Sequence, residues 1–177
     1  MTQRQEFKLL QSYKDFDVRE YAPCVLAEVQ VSEHYSSATS TAFASLFKYI
    51  SKGNKASQKI AMTAPVIAAQ RSDKTETNEW FVSFVMPSGS TFGHLPHPND
   101  PRIVLRELDS ETCVVASFRG TANAQRSNEK IKELRAAAAR ENLSLSSESR
   151  ICRFDPPFKP GFMQYNEIVI PVYLGQQ

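Results

Sequence analysis

Residues 25–54 read VLAEVQVSEHYSSATSTAFASLFKYISKGN, and the period of the pattern changes once along them. Val25, Ala27, Val29 and Val31 alternate with Leu26, Glu28 and Gln30, the two-residue repeat of a half-buried strand. Farther on, Phe43, Leu46, Phe47 and Ile50 fall at i, i+3, i+4 and i+7, which lines them along one face of a helix. Ser36 or Ser37 is placed to cap its start, and Gly53 with Asn54 supplies the stop.

Working outward, Phe16–Tyr21 is a strand before Ala22-Pro23, and Lys59–Ala69 is apolar and extended with Pro65 marking an edge or bend. Residues Arg71–Glu79 read as a polar turn, Trp80–Met86 as a strand, and Ser88–Pro101 as a Pro/Gly-rich loop between two halves. The second half repeats the order. Ile103–Leu108 and Thr112–Phe118 suggest a hairpin around Asp109-Ser110. Ala124–Arg140 reads as a helix with Ile131, Leu134 and Ala138 inward, and Ile151–Phe154 and Glu167–Val172 as closing strands. Each half is thus strand–strand–helix–strand–strand, a pseudo-repeat of element order rather than of residues. Eight short strands and two helices predict an antiparallel α+β architecture, and closing the sheet toward a barrel would remove its edges.

The 177 residues suit one domain spanning 1–177, large enough for its own core. Twenty-one Lys and Arg against 19 Asp and Glu leave a net charge of +2, which speaks against a disordered polyelectrolyte and a dedicated nucleic-acid binder. No run approaches the roughly 20 apolar residues of a membrane span. The N-terminus lacks the pattern of a signal or transit peptide. Cys24, Cys113 and Cys152 are an odd, scattered set without CxxC, read as small buried side chains in a reducing soluble compartment, the cytoplasm or a plastid.

Several segments stand in the order found in the SOUL haem-binding proteins, which the chain resembles over about 155 residues. They are Phe16–Tyr21, Tyr49-Ile50 with Gly53-Asn54, Lys59–Val66, Phe84–Pro87, and Pro156–Pro160 with Asn166–Ile168. The resemblance implies a distorted eight-stranded antiparallel barrel with two flanking helices. It also implies non-covalent binding of haem or a related tetrapyrrole in a shallow apolar groove beside the first helix. On this likeness Phe43 and Phe47 match positions lining the groove, Phe84 belongs to the same site, and Lys48 and Lys159 match positions that hold propionates.

The chemistry of such a ligand, a flat apolar plate with two carboxylates on one rim, asks for an aromatic face and nearby cations. Lys48, Lys52, Lys55 and Lys59 place four positive charges in 12 residues without an acid between them. The plainer alternatives are two phenylalanines packed on the sheet and a solvated, dipole-stabilised helix end. Some relatives carry His before the tyrosine of the first strand. Here Glu20 stands there, a poor iron ligand beside imidazole. The remaining histidines are His34, His94 and His97, and His94-Leu95-Pro96-His97 lacks a third ligand nearby, so no metal site is expected.

Lys59–Val66 has no acid, His or Cys for general acid–base work, so Met62 and Thr63 are read as packing residues. No phosphate loop, nucleophile elbow or zinc motif appears. The expected function is a soluble, monomeric carrier, buffer or sensor of a tetrapyrrole, without membrane insertion or nucleic acid. The rival classes are a protein-interaction scaffold with incidental tetrapyrrole affinity and a tetrapyrrole-metal-processing enzyme with Glu20 as its one candidate base.

Overall fold

The computed structural model describes residues 2–72 and 78–173. In chain order it runs β1 (Gln3–Arg4), β2 (Phe7–Ser12), β3 (Asp17–Tyr21), β4 (Cys24–Ser32), α1 (Tyr35–Ile50), β5 (Thr63–Ala64), β6 (Val66–Gln70) and β7 (Glu79–Val85). It continues with β8 (Ile103–Leu108), β9 (Glu111–Arg119), α2 (Ala124–Arg140), β10 (Ser149–Arg153), a 3-10 turn at Gly161–Met163, and β11 (Tyr165–Pro171). Most of the expected polar turn at Arg71–Glu79, residues 73–77, lies outside the described residues.

Nine antiparallel strands form one curled half-barrel in the order β2-β3-β9-β11-β10-β6-β7-β4-β8, while β1 and β5 make a separate two-stranded pair. The count is nine rather than eight because Phe7–Ser12 is a strand that the sequence pattern hides. All six residues are exposed on this edge, and a register shift between Leu9 and Gln11 breaks the two-residue period.

The pseudo-repeat is explicit in the topology. β3, β4, α1, β6 and β7 answer to β8, β9, α2, β10 and β11, with β6 and β10 paired at the centre through Ala68 and Ile151. The first strand of each half crosses over, β3 to β9 and β8 to β4. This overturns the hairpin expected around Asp109-Ser110, since both edges of β9 are taken by β3 and β11. It also explains the curl. In a flat sheet the six steps from β8 to β9 would span roughly 29 Å. The link Leu108–Glu111 reaches only about 11 Å.

α1 packs on β4 and β7, and α2 on β9 and β11, so the main core lies between the helices and the concave face. Leu46, Tyr49, Val82, Leu134, Ile151 and Ile168 are all nearly or fully buried there. The convex face is buried too, around Leu26, Ile67, Val85, Val115 and Val169. For that reason Glu28 on β4 is enclosed rather than solvated, held by Arg71 at 2.7 Å and Arg106 at 3.0 Å. Burial pushes the Cys113 thiol up to about 12 and raises Cys24 and Cys152 as well; all three are free.

α1 begins one residue before the two serines expected to cap it. Tyr35 is buried against Trp80, ring centroids 4.9 Å apart, so the first turn is fixed by packing, and the N-cap His34 makes no side-chain cap bond. The stop is as expected. The Gly53 N–H donates to the Lys48 carbonyl at 2.8 Å, and Asn54 Nδ2 donates to the Tyr49 carbonyl at 3.0 Å. A Cβ on Gly53 would lie 2.5 Å from that Lys48 oxygen, which excludes any side chain there. Beyond it the expected strand Lys59–Ala69 is interrupted. Ile60 returns to the helix end by donating its N–H to the Ile50 carbonyl, and a cis Ala64–Pro65 bond separates β5 from β6.

Candidate functional site

The helix pattern that carries Leu46 inward sends Phe43 and Phe47 to one flank of α1. Phe43 is half-buried and Phe47 is 50% exposed. Their rings lie nearly parallel, 11° apart with centroids at 5.9 Å. Phe84 of β7 meets Phe43 edge-on at 5.4 Å and is itself buried, so it supports the shelf from beneath. Met62 and Val66, to which the sequence reading gave no ligand role, are half-buried apolar neighbours of the same core, and Val66 is the β-partner of Phe84. The period-2 pattern would have placed Val66 on the Phe84 face only once the break at Pro65 was known.

Lys48 follows Phe47 in the last turn of α1, is exposed, and makes no ion pair among the described residues. Lys52, Lys55 and Lys59 are exposed in the segment after the helix. Lys159 sits in the loop between β10 and β11, with its ammonium 2.9 Å from Asp155 Oδ1. The Tyr165 backbone N–H, and after it Lys159, hold the Asp155 carboxyl below its ordinary value. This loop leaves the sheet at Arg153, opposite Val66, which is paired in turn with Phe84. It therefore departs two strands away from Phe84, at the same level along the sheet. Phe158 and Phe162 stand on it with 88% and 79% of their surfaces exposed.

The other candidates lie elsewhere. Ser45 and Tyr49 hold the 96–102 loop, through Arg102 Nη2 at 2.9 Å and the Pro96 carbonyl at 2.8 Å. Two residues along a helix advance about 200°, so this loop and its His97 occupy the flank away from Phe43. His34 caps the opposite end of α1. Glu20 is exposed on β3, five strands from β7 in the sheet order. Among the described residues no group of three His, Cys, Asp or Glu side chains is placed to hold a metal ion. None of their helices is long and apolar enough to cross a membrane.

Residues 2–171 match the family described as SOUL heme-binding protein. Heme-binding protein 2 of Homo sapiens is 30% identical over 130 residues, 72% of this chain and 62% of that protein's own length. Heme-binding protein 1 of Xenopus laevis is 26% identical over 155 residues, covering 86% of this chain and 81% of that one. Among solved structures, the EcmrR C-terminal domain superposes with a TM-score of 0.66 at 16% identity, over 94% of this chain and 98% of the other, a likeness of fold.

Proposed function

The chain belongs to the SOUL heme-binding protein family, and from that premise we propose that it is a reversible carrier, buffer or sensor of haem or a related tetrapyrrole. The ring lies on the Phe43–Phe47 shelf, its propionates meet Lys48 and Lys159, and the β10–β11 loop closes over it with Phe158. The observation that supports this most is the pair of parallel phenylalanine rings with Phe47 half exposed beside a lysine that has no carboxylate partner among the described residues. An exposed, stacked aromatic pair on a helix flank is a surface awaiting a planar partner.

The fit is to the plate and its rim. Among the described residues the shelf flank presents no imidazole, so the iron contributes little to affinity and the central metal is loosely specified. Haemin and iron-free protoporphyrin titrated against the protein, followed by ligand absorption, should bind with similar affinity. A preference for haemin above about 100-fold, or about 2.7 kcal/mol, requires an axial ligand and overturns the unligated mode. Absence of binding to either ring overturns the carrier reading as a whole and favours an interaction module presenting Phe47, Phe158 and Phe162 to another protein.

A further inference from the structure

A second hollow, of about 570 Å³, opens where the two halves meet over the centre of the sheet. It is lined by the first turn of α1, the start of α2, and the ends of the central strands β6 and β10. Among the described residues, none that lines it is acidic. Arg153 is its one Lys or Arg, half-buried, with no carboxylate partner among the described residues. Its guanidinium lies over the Tyr35 ring, 5.9 Å from the centroid. The Tyr35 side chain is more than nine-tenths buried in the wall of this hollow, yet its hydroxyl finds no hydrogen-bond partner among the described residues.

Three physical terms in this hollow have one sign. An unpaired guanidinium is a forked donor for a carboxylate or phosphate. The N-terminal ends of two helices, of 16 and 17 residues, face the same space with their positive dipole ends. Neither has an acid in its first turn, although that is where acids stabilise a helix. Burial raises the pKa of the Tyr35 hydroxyl, which keeps it a donor at neutral pH. A buried donor left unmatched costs stability unless something arrives to accept from it.

We propose that this inter-half hollow binds a small organic oxyanion, a carboxylate or a phosphate monoester, with Arg153 and the Tyr35 hydroxyl as its direct contacts and Trp80 forming the adjoining wall. The site is separate from the Phe43–Phe47 shelf, and it does not depend on the tetrapyrrole reading. It makes the central seam of the pseudo-duplicated fold a ligand site, with Arg153 supplying the charge.

Trp80 is the chain's single tryptophan and lines the hollow, so its emission reports occupancy directly. Phenyl phosphate and benzoate are titrated separately, with benzylamine as a cation of similar size. At least one anion should change the emission saturably with a midpoint near or below about 1 mM, while benzylamine should not. The stronger of the two anions identifies the head group. Arg153→Gln should raise the midpoint tenfold or more. Tyr35→Phe should raise it several-fold while raising the melting temperature slightly, because an unmatched buried hydroxyl has been removed. Phe47→Ala should leave the midpoint unchanged. The proposal fails if neither anion saturates, if benzylamine matches them, or if the Tyr35→Phe protein binds and melts like the parent. That last result would show that the hydroxyl is no unmatched donor and takes no part in binding the anion. Should Arg153→Gln fail to fold, the Tyr35→Phe pair of readouts decides alone.

Discussion

α1 and α2 occupy equivalent places on the sheet but treat their outer flanks in opposite ways. On α2, Arg135 reaches across to the following chain, donating to the carbonyls of Ser146 and Ser147 and to the Ser149 hydroxyl, and so seals the helix to it. On α1 the flank toward β6 carries Phe43 and Phe47 with the outer ring half exposed. In a pseudo-duplicated fold the two flanks are equivalent positions; hydrogen bonding covers one and aromatic side chains, one of them half exposed, occupy the other. The cores beneath are alike, so the asymmetry lies in the outer flanks and not in the packing beneath them.

The strongest test of that claim is made in the cores. Leu46 and Leu134 are each the fully buried leucine of their helix. Leu46→Ala and Leu134→Ala should each cost about 2–5 kcal/mol in urea unfolding, in a single transition. Two transitions, or a cost confined to one half, would mean the halves are energetically separate. Next comes the end of α1, where Asn54 satisfies the Tyr49 and Gln58 carbonyls and accepts from the Gln58 N–H while only 2% exposed. Asn54→Ala should cost about 1–3 kcal/mol, since it strands buried backbone groups. A near-neutral result would show that the segment bearing Lys52, Lys55 and Lys59 is held by other contacts.

Much of this was legible beforehand. Ala124–Arg140 emerges with the predicted bounds because its apolar positions recur cleanly among charges. Gly53 and Asn54 mark the α1 stop because backbone geometry there admits little else. What stayed hidden depends on partners distant in sequence. The crossing of β3 and β8 to the opposite halves cannot be read from a two-residue link that suits a hairpin equally well. The Arg153 hollow carries no signal in a strand reading of residues 151–154, which leaves the arginine's surroundings open. Ile151 points to the core, however, and a period of two puts Arg153 on the same face. Helical spacing together with family likeness nominates Phe43 and Phe47, yet spacing alone cannot say which is exposed.

On the open flank itself, Phe47→Ala removes a ring that is half in water. It should change unfolding free energy by less than about 1 kcal/mol while weakening tetrapyrrole binding about tenfold, a separation that a core phenylalanine would not show. Equal loss of stability and affinity would return Phe47 to a packing role. A smaller effect is expected from the rim. Lys48→Ala combined with Lys159→Ala should weaken binding several-fold and flatten its dependence on salt, as for exposed charge pairs. Unchanged affinity would release both lysines from the proposal.

The two rim lysines sharpen the comparison further, because Lys48 has no ion pair among the described residues whereas Lys159 already faces Asp155. The Asp155 pKa is lowered from 3.8, first by the Tyr165 N–H and then by Lys159, so its contribution to stability is present above the ordinary carboxylate value and is lost as pH falls through the lowered one. In acid, the parent should lose stability relative to Asp155→Asn, and Lys159→Ala should keep most of that pH dependence because the backbone N–H is the larger cause. At neutral pH Asp155→Asn frees the Lys159 ammonium, so tetrapyrrole affinity should rise slightly and its salt dependence steepen. In a Lys159→Ala background the same substitution should leave both unchanged. If Asp155→Asn weakens binding in the parent, the carboxylate is ordering the loop for the ligand, and the second half contributes shape to the site while charge comes from Lys48.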